Sequence, residues 1–252
     1  MSFSVIIPSR NPENLRACVA AIRAADQPER IIVVWDGEDN ARSVHCGPSR
    51  VPAVVSGSVV GAIKGKKPFC FARNVNLGIK AAGSDDVILL NDDALLIPYH
   101  GFSDLERCSQ IMKQPGNGLL YQFGVISARV KGLANPVHSA DRVELADVLQ
   151  DVTPAKAVPF VCVYIPRRVI DYVGLLDERF TGEAGGAEVY GGEDDDYCYR
   201  VREMGFRIGV YNGCVVDHGA LTSTFRPDGK GRSIAGARAR FFEIHGFAMG
   251  SK

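Results

Sequence analysis

Three near-continuous apolar runs, Phe3 to Ile7, Ile31 to Trp35 and Val87 to Leu90, alternate with stretches whose apolar residues fall at helical spacing. Runs with no polar face suit strands buried on both sides, and strands alternating with helices argue for a parallel sheet covered by helices on each face. Pro8-Ser9-Arg10-Asn11-Pro12 stops the first run, after which Leu15, Cys18, Val19 and Ile22 recur as one helical stripe. Asp36-Gly37 ends the second run, and the polar stretch from Glu38 to Pro52 reads as a weakly structured loop. Phe71 to Ala82 suits a second helix, with Ala72, Val75, Leu77, Ile79 and Ala82 among its apolar members. Ligands of such sheets collect beyond the carboxyl ends of the strands. This chain puts Ser9-Arg10, Asp36 and Asn91-Asp92-Asp93 at those ends.

The second half has a different order. Phe160 to Ile165 is an apolar run, Arg168 to Val173 suits a short helix, and Gly174 to Phe180 leads into Thr181 to Gly192, a loop with five glycines. A second acidic stretch follows, Glu193-Asp194-Asp195-Asp196, at the start of a helix whose inner face is predicted to carry Tyr197, Val201 and Met204. Asp196 is spaced to pair with Arg200 four residues on, and Gly205 is placed to end the helix. The positive helix terminus favours carboxylates while consecutive acids repel one another, so at least one of them is expected to hold its proton unusually tightly. Phe206, Ile208 and Val210 alternate as a strand, and Val215-Val216-Asp217-His218 ends another.

Composition narrows the partners. Lys plus Arg (29) balances Asp plus Glu (29), so no overall field recruits nucleic acid or an anionic membrane. The seven cysteines are odd in number and lie mostly in apolar runs, which fits reduced core thiols, and none forms a CxxC pair. No apolar stretch approaches the ~18 residues of a membrane span, and the opening residues lack a basic segment and a long apolar core, so the expectation is a soluble, cytoplasmic protein.

Several of these segments, in their order, resemble the inverting nucleotide-sugar glycosyltransferases of family two, rhamnosyltransferase-like members included. Val5-Ile6-Ile7-Pro8-Ser9-Arg10-Asn11 resembles the family's first strand and nucleotide loop, and Val33-Val34-Trp35-Asp36-Gly37 its second strand. Phe71 to Ile79 looks like the helix before the metal motif, and Leu89-Leu90-Asn91-Asp92-Asp93 like the DxD-type element itself. Gly174 to Phe180 with Glu193 to Asp196 is similar to the "GLFDE" segment and the acid-bearing helix, and Asp217-His218 to a metal-completing histidine. Two departures stand out: Asn91 replaces the first Asp, and the spacer from Phe180 to Glu193 is long and glycine-rich.

The resemblance implies an α/β GT-A fold with a mostly parallel, Rossmann-like sheet in a single domain over residues 1–252. Its nucleotide-binding half would be 1–95, its acceptor and catalytic half 96–220, and a basic loop and helix 221–252. It implies a nucleotide-diphosphate sugar donor held by Pro8, Ser9, Arg10, Asp36, Arg73, Asn76 and Asp92, and a hydroxyl-bearing acceptor. Mn²⁺ or Mg²⁺ would sit on Asp93 with Asn91 or Asp92 and His218, offsetting charge on the leaving phosphate as a Lewis acid. Asp194, with Glu193 beside it, would be the general base for the acceptor hydroxyl. Arg226, Lys230, Arg232, Arg238 and Arg240 make the end of the chain locally basic, which suits a solvated loop and helix or an anionic acceptor, a nucleic acid being the extreme case. Two other classes compete: a nucleotidyltransferase, disfavoured because Pro8 to Pro12 has no glycine, and a silent nucleotide-sugar-binding module, which Asn91 keeps open.

Overall fold

The computed structural model describes residues 2–26, 28, 30–37, 43–46, 49–52, 60–67, 69–98, 101–111, 123–131, 152–219 and 234–251. The first half runs β1 (Phe3–Ser9), α1 (Pro12–Ala25), β2 (Arg30–Trp35), β3 (Ser43–Cys46), β4 (Ser49–Pro52), β5 (Val60–Lys64), α2 (Phe71–Ala82), β6 (Asp86–Leu90) and β7 (Leu95–Leu96). The rest runs α3 (Phe102–Ile111), β8 (Phe123–Lys131), β9 (Val152–Ala155), β10 (Cys162–Ile165), α4 (Arg167–Val173), β11 (Glu183–Ala184), β12 (Ala187–Glu188), α5 (Glu193–Glu203), β13 (Arg207–Asp217) and α6 (Ala235–His245).

One sheet of order β5-β2-β1-β6-β10-β8-β13-β7, with β9 also on β13, passes through both halves of the chain. β5, β2, β1 and β6 are parallel neighbours, as the unbroken apolar runs predict. β10 is antiparallel to β6, pairing Cys162 with Leu90. That reversal brings the residues entering β10, Phe160 and Val161, to the carboxyl end of β6, where the first acidic stretch begins. Beyond it β13 runs parallel to β8, and its final residues pair with β7, Val216 opposite Leu96.

Local chemistry starts the first helix: Asn11 Oδ1 accepts from the N–H groups of Glu13 (3.0 Å) and Asn14 (3.2 Å), and Pro12 fills the first turn. Leu15, Cys18 and Ile22 of α1 join Phe102 and Leu105 of α3 on one face of the sheet. Val75 and Ile79 of α2, Val169 of α4, and Tyr197 and Val201 of α5 cover the other. Each wholly buried branched side chain contributes roughly 1.5–3 kcal/mol. At Gly78 a Cβ would stand 2.3 Å from Ile6 Cγ2, so the glycine is what lets α2 approach β1 this closely.

Four local expectations change. The polar stretch after Asp36 contains the antiparallel pair β3 and β4, which carry too little apolar pattern to announce themselves. The glycine-rich loop contains the two-residue strands β11 and β12. Phe206 to Asp217 does not break into two strands, because β13 absorbs Asn212-Gly213 as a register irregularity between Tyr211 and Val215. Met204 is 59% exposed, since the helix ends at Glu203 and Gly205, at φ +81°, turns the chain away. Among the described residues no helix is long and apolar enough to cross a membrane.

Candidate active site

Pro8 and Ser9 are buried at the end of β1. Ser9 Oγ donates to Asp92 Oδ2 at 2.6 Å, tying the first loop to the acidic turn beyond β6. One strand over, Asp36 is buried after β2, and Gly65 packs against it so closely that a Cβ there would lie 2.8 Å from Asp36 Cβ. Asn74 Nδ2 donates to Asp36 Oδ2 at 3.3 Å, while Asp36 Oδ1 is buried with no hydrogen-bond partner. Burial raises the Asp36 pKa, and the charge of Arg10, the Asn74 bond and Lys67 partly offset it. The Arg10 guanidinium lies over the Phe69 ring, 5.6 Å from its centroid, and Arg73 Nη2 donates to the Lys66 carbonyl at 3.2 Å. Pro8, Ser9, Arg10, Asp36, Arg73 and Asp92 therefore gather at one sheet edge.

Asn76 does something else with its amide. Nδ2 donates to the Leu176 carbonyl (2.9 Å) and to Glu178 Oε1 (3.0 Å), while Oδ1 accepts from Leu176 N–H (3.0 Å). The residue staples α2 to the Gly174–Phe180 segment, with both amide hydrogens and one lone pair of Oδ1 engaged by protein.

Asn91 N–H donates to the Val161 carbonyl (2.9 Å), and Ala94 N–H returns to the Asn91 carbonyl (3.1 Å), closing the turn that holds Asp92 and Asp93. Both carboxylates are almost fully buried. His218, just beyond β13, is delivered to this turn because β13 pairs with β7, and its own N–H is fixed on the Lys131 carbonyl at 2.8 Å. His218 Nε2 lies 3.2 Å from Asp93 Oδ1, and Asp93 Oδ1 and Asn91 Oδ1 are both buried without hydrogen-bond partners. Unsatisfied buried acceptors are costly, so their clustering in one turn fits residues that complete their bonding with an ion. The His218 and Asp93 donor atoms are near enough to share one ion with bonds of roughly 2.1 Å. Among the described residues, no group of three or more His, Cys, Asp or Glu side chains is placed to hold a metal ion.

The acidic helix enters the same edge through Phe160. Asp194 lies against the backbone N–H of Phe160, the neighbour of the Val161 that holds Asn91, so one dipeptide bridges the two acidic stretches. Gly191 and Gly192, at φ +80° and +91°, turn the chain into α5, whose terminus has no side-chain cap. Glu193, Asp194 and Asp195 retain partial solvent contact, yet all three carboxyls are raised above their ordinary pKa values. Burial is the main cause for each, with repulsion from neighbouring acids adding for Glu193 and Asp195. For Asp194 the N–H groups of Asp195, Asp194, Phe160 and Gly192 pull the other way, Asp195 N–H donating to Oδ1 at 2.9 Å.

Asp196 differs from these neighbours. It is 1% exposed; Oδ2 accepts from Arg200 Nε (2.9 Å) and Nη2 (2.8 Å), and Oδ1 lies 2.8 Å from His245 Nε2. Arg200 also donates to the carbonyls of Val173 and Leu175, both at 3.0 Å. With both oxygens engaged, Asp196 anchors the helix to Arg200 and His245. The Arg200 partner follows from helical spacing, whereas His245 lies 49 positions away and no sequence spacing marks it. Of the basic residues near the end of the chain, Arg226, Lys230 and Arg232 lie outside the described residues. Arg238 is exposed, and Arg240 pairs with Glu243 at 3.2 Å.

Comparison with known proteins bears on both family and fold. The family model described as "Glycosyl transferase family 2" matches residues 4–130. The crystal structure of GalNAc-T7 with UDP, GalNAc and Mn²⁺ superposes with a TM-score of 0.62 at 13% identity, covering 86% of this chain and 44% of that one. The chain thus spans less than half the length of that structure, and the likeness is one of fold. No curated protein matches the sequence.

Proposed function

The chain belongs to glycosyl transferase family 2, and from that premise we propose that it is a metal-dependent, inverting glycosyltransferase. It moves a sugar from a nucleotide-diphosphate donor to a hydroxyl of a soluble acceptor, in the cytoplasm. The observation that supports this most is the dipeptide Phe160-Val161, which joins the Asn91 turn to the Asp194 carboxylate and so sets both acidic stretches at one sheet edge.

The donor lies along the edge formed by Pro8, Ser9, Arg10, Asp36, Arg73 and Asp92. Asp36 presents an unsatisfied acceptor to an N–H of the base, and Arg10 and Arg73 offer guanidinium groups to the diphosphate. Asp93, His218 and Asn91 are the residues that would hold Mn²⁺ or Mg²⁺, whose chemistry when bound is to offset negative charge on the departing phosphate. His218 brings an imidazole to an otherwise oxygen-rich set, which favours Mn²⁺. On the acceptor side Asp194 takes the proton from the attacking hydroxyl, with Glu193 adjacent. One base and one displacement invert the anomeric centre, so an α-linked donor gives a β-linked product. The raised pKa of Asp194 suits a group that must accept a proton near neutral pH. GalNAc-T7 was crystallised with UDP and Mn²⁺, which supports a nucleotide-sugar donor here.

A thermal-shift screen of nucleotide sugars, rhamnosyl and hexosyl donors included, tests the reading. At least one should stabilise the protein more with Mn²⁺ than without it. No stabilisation by any member would sink it.

A further inference from the structure

The segment that leads into the acidic helix has little to order it from within. Gly182, Gly185, Gly186, Gly191 and Gly192 all have positive φ, β11 and β12 are two residues each, and the first turn of α5 lacks a side-chain cap. A hairpin of that size does not stand alone in water, and glycine-rich backbone loses the most entropy on ordering. Order has to come from outside, and α6 lies against this segment along its whole length. At Gly236 a Cβ would stand 2.3 Å from the Glu188 carbonyl oxygen. The Ala237 methyl borders Gly192, where an added Cβ would meet it at 3.2 Å, and Ala239 borders Gly185 at 2.8 Å on the same measure. Arg240 Nη2 donates to the Glu183 carbonyl at 2.7 Å. Near its end, His245 lies 2.8 Å from Asp196, with ring centroids of Tyr199, Phe241 and Phe247 at 4.9, 4.4 and 5.7 Å around it.

We infer that α6 is a brace for the acidic helix and that His245 is a positioning residue, fixing Asp196 and with it the turn that presents Asp194. This rests on the reading of Asp194 as the base of a glycosyl transfer. Asp196 is pinned from two directions: Arg200 ties it to the end of α4, and His245 ties it to α6. Small residues at 236, 237 and 239 let α6 approach the hairpin backbone, and the imidazole supplies a polar lock at the far end. A base displaced by a fraction of an ångström loses its near-attack geometry, so the brace acts on turnover and leaves the donor edge, built on β1, β2 and β6, unaffected.

Hydrogen–deuterium exchange on the full chain, for wild type, His245→Ala, His245→Gln and Gly236→Ala, tests this. In His245→Ala, amides 183–197 should exchange on the order of ten-fold faster, while those of β1, β2 and β6 keep wild-type rates. Glutamine keeps a donor and should restore most of the protection. Gly236→Ala, which lifts α6 by the opposite end, should give the same localised pattern. Unchanged rates at 183–197, equal acceleration in β1, β2 and β6, or a glutamine variant no better than alanine would each overturn the brace. In transfer assays His245→Ala should lower kcat with the nucleotide-sugar KM unchanged, and a raised KM at full kcat overturns the positioning role. Titration with UDP and Mn²⁺ separates the two readings, because wild-type protein that binds neither undermines the transfer reading while the exchange result stands.

Discussion

Ser9 and Asp92, 83 positions apart in the chain, share a buried hydrogen bond of 2.6 Å that locks the loop after β1 to the turn after β6. Ser9→Ala removes a donor from a carboxylate that water cannot reach. We expect a loss of about 1.5–3 kcal/mol in urea unfolding, the usual range for a hydrogen bond to a charged group. Unchanged stability would mean that the turn is held by its backbone alone.

Asp93→Ala should abolish the advantage that Mn²⁺ gives to nucleotide binding. Calorimetric titration of UDP with and without Mn²⁺ is the measurement. Equal affinities in wild-type protein under the two conditions would remove Asp93, Asn91 and His218 from any metal role. Asn91→Asp, which restores a charge to a buried, unsatisfied oxygen position, should tighten the metal-dependent affinity.

Asp194→Asn should lower turnover by on the order of 10²–10⁴-fold, the usual contribution of a positioned general base, while donor affinity stays near wild type. Steady-state kinetics with a direct binding titration separates the two effects. Wild-type turnover in this variant would move the base to Glu193 or Asp195.

The raised carboxyls also make stability fall as pH rises. Burial pushes Glu193 up to about 8 and Asp195 up to about 7, so between about pH 4 and pH 8 these two carboxyls hold more protons in the folded chain than in the unfolded one. Stability then decreases with pH across that window, because unfolding releases protons. Melting curves of ligand-free protein should show the trend, and Glu193→Gln or Asp195→Asn should flatten it relative to wild type. A steeper slope in those variants would contradict the assignment.

Sequence was most informative where one periodicity spoke alone. The apolar spacing from Phe71 to Ala82 delimits α2, and the unbroken runs at Ile31 and Val87 mark strands buried on both faces. It was least informative where a tertiary neighbour decides the outcome. Asn212-Gly213 looks like a break and is a bulge, because β8 continues to pair on either side of it. The Asp196–Arg200 pair is visible at helical spacing, but the His245 that completes it is brought in by the docking of α6. Asn76 carries no mark of its partner either, since a side-chain amide facing a nucleotide and one facing a distant backbone read alike in a sequence.

That amide at position 76 closes a circuit of a hundred residues onto Leu176. The β5-β2-β1-β6 half of the sheet is consequently not a portable module: a fragment cut shortly after β6 would lose the staple on α2 and expose the flank of β6 that β10 covers. An open strand border of this kind invites pairing with other chains, so such a truncation should self-associate instead of folding as a monomer.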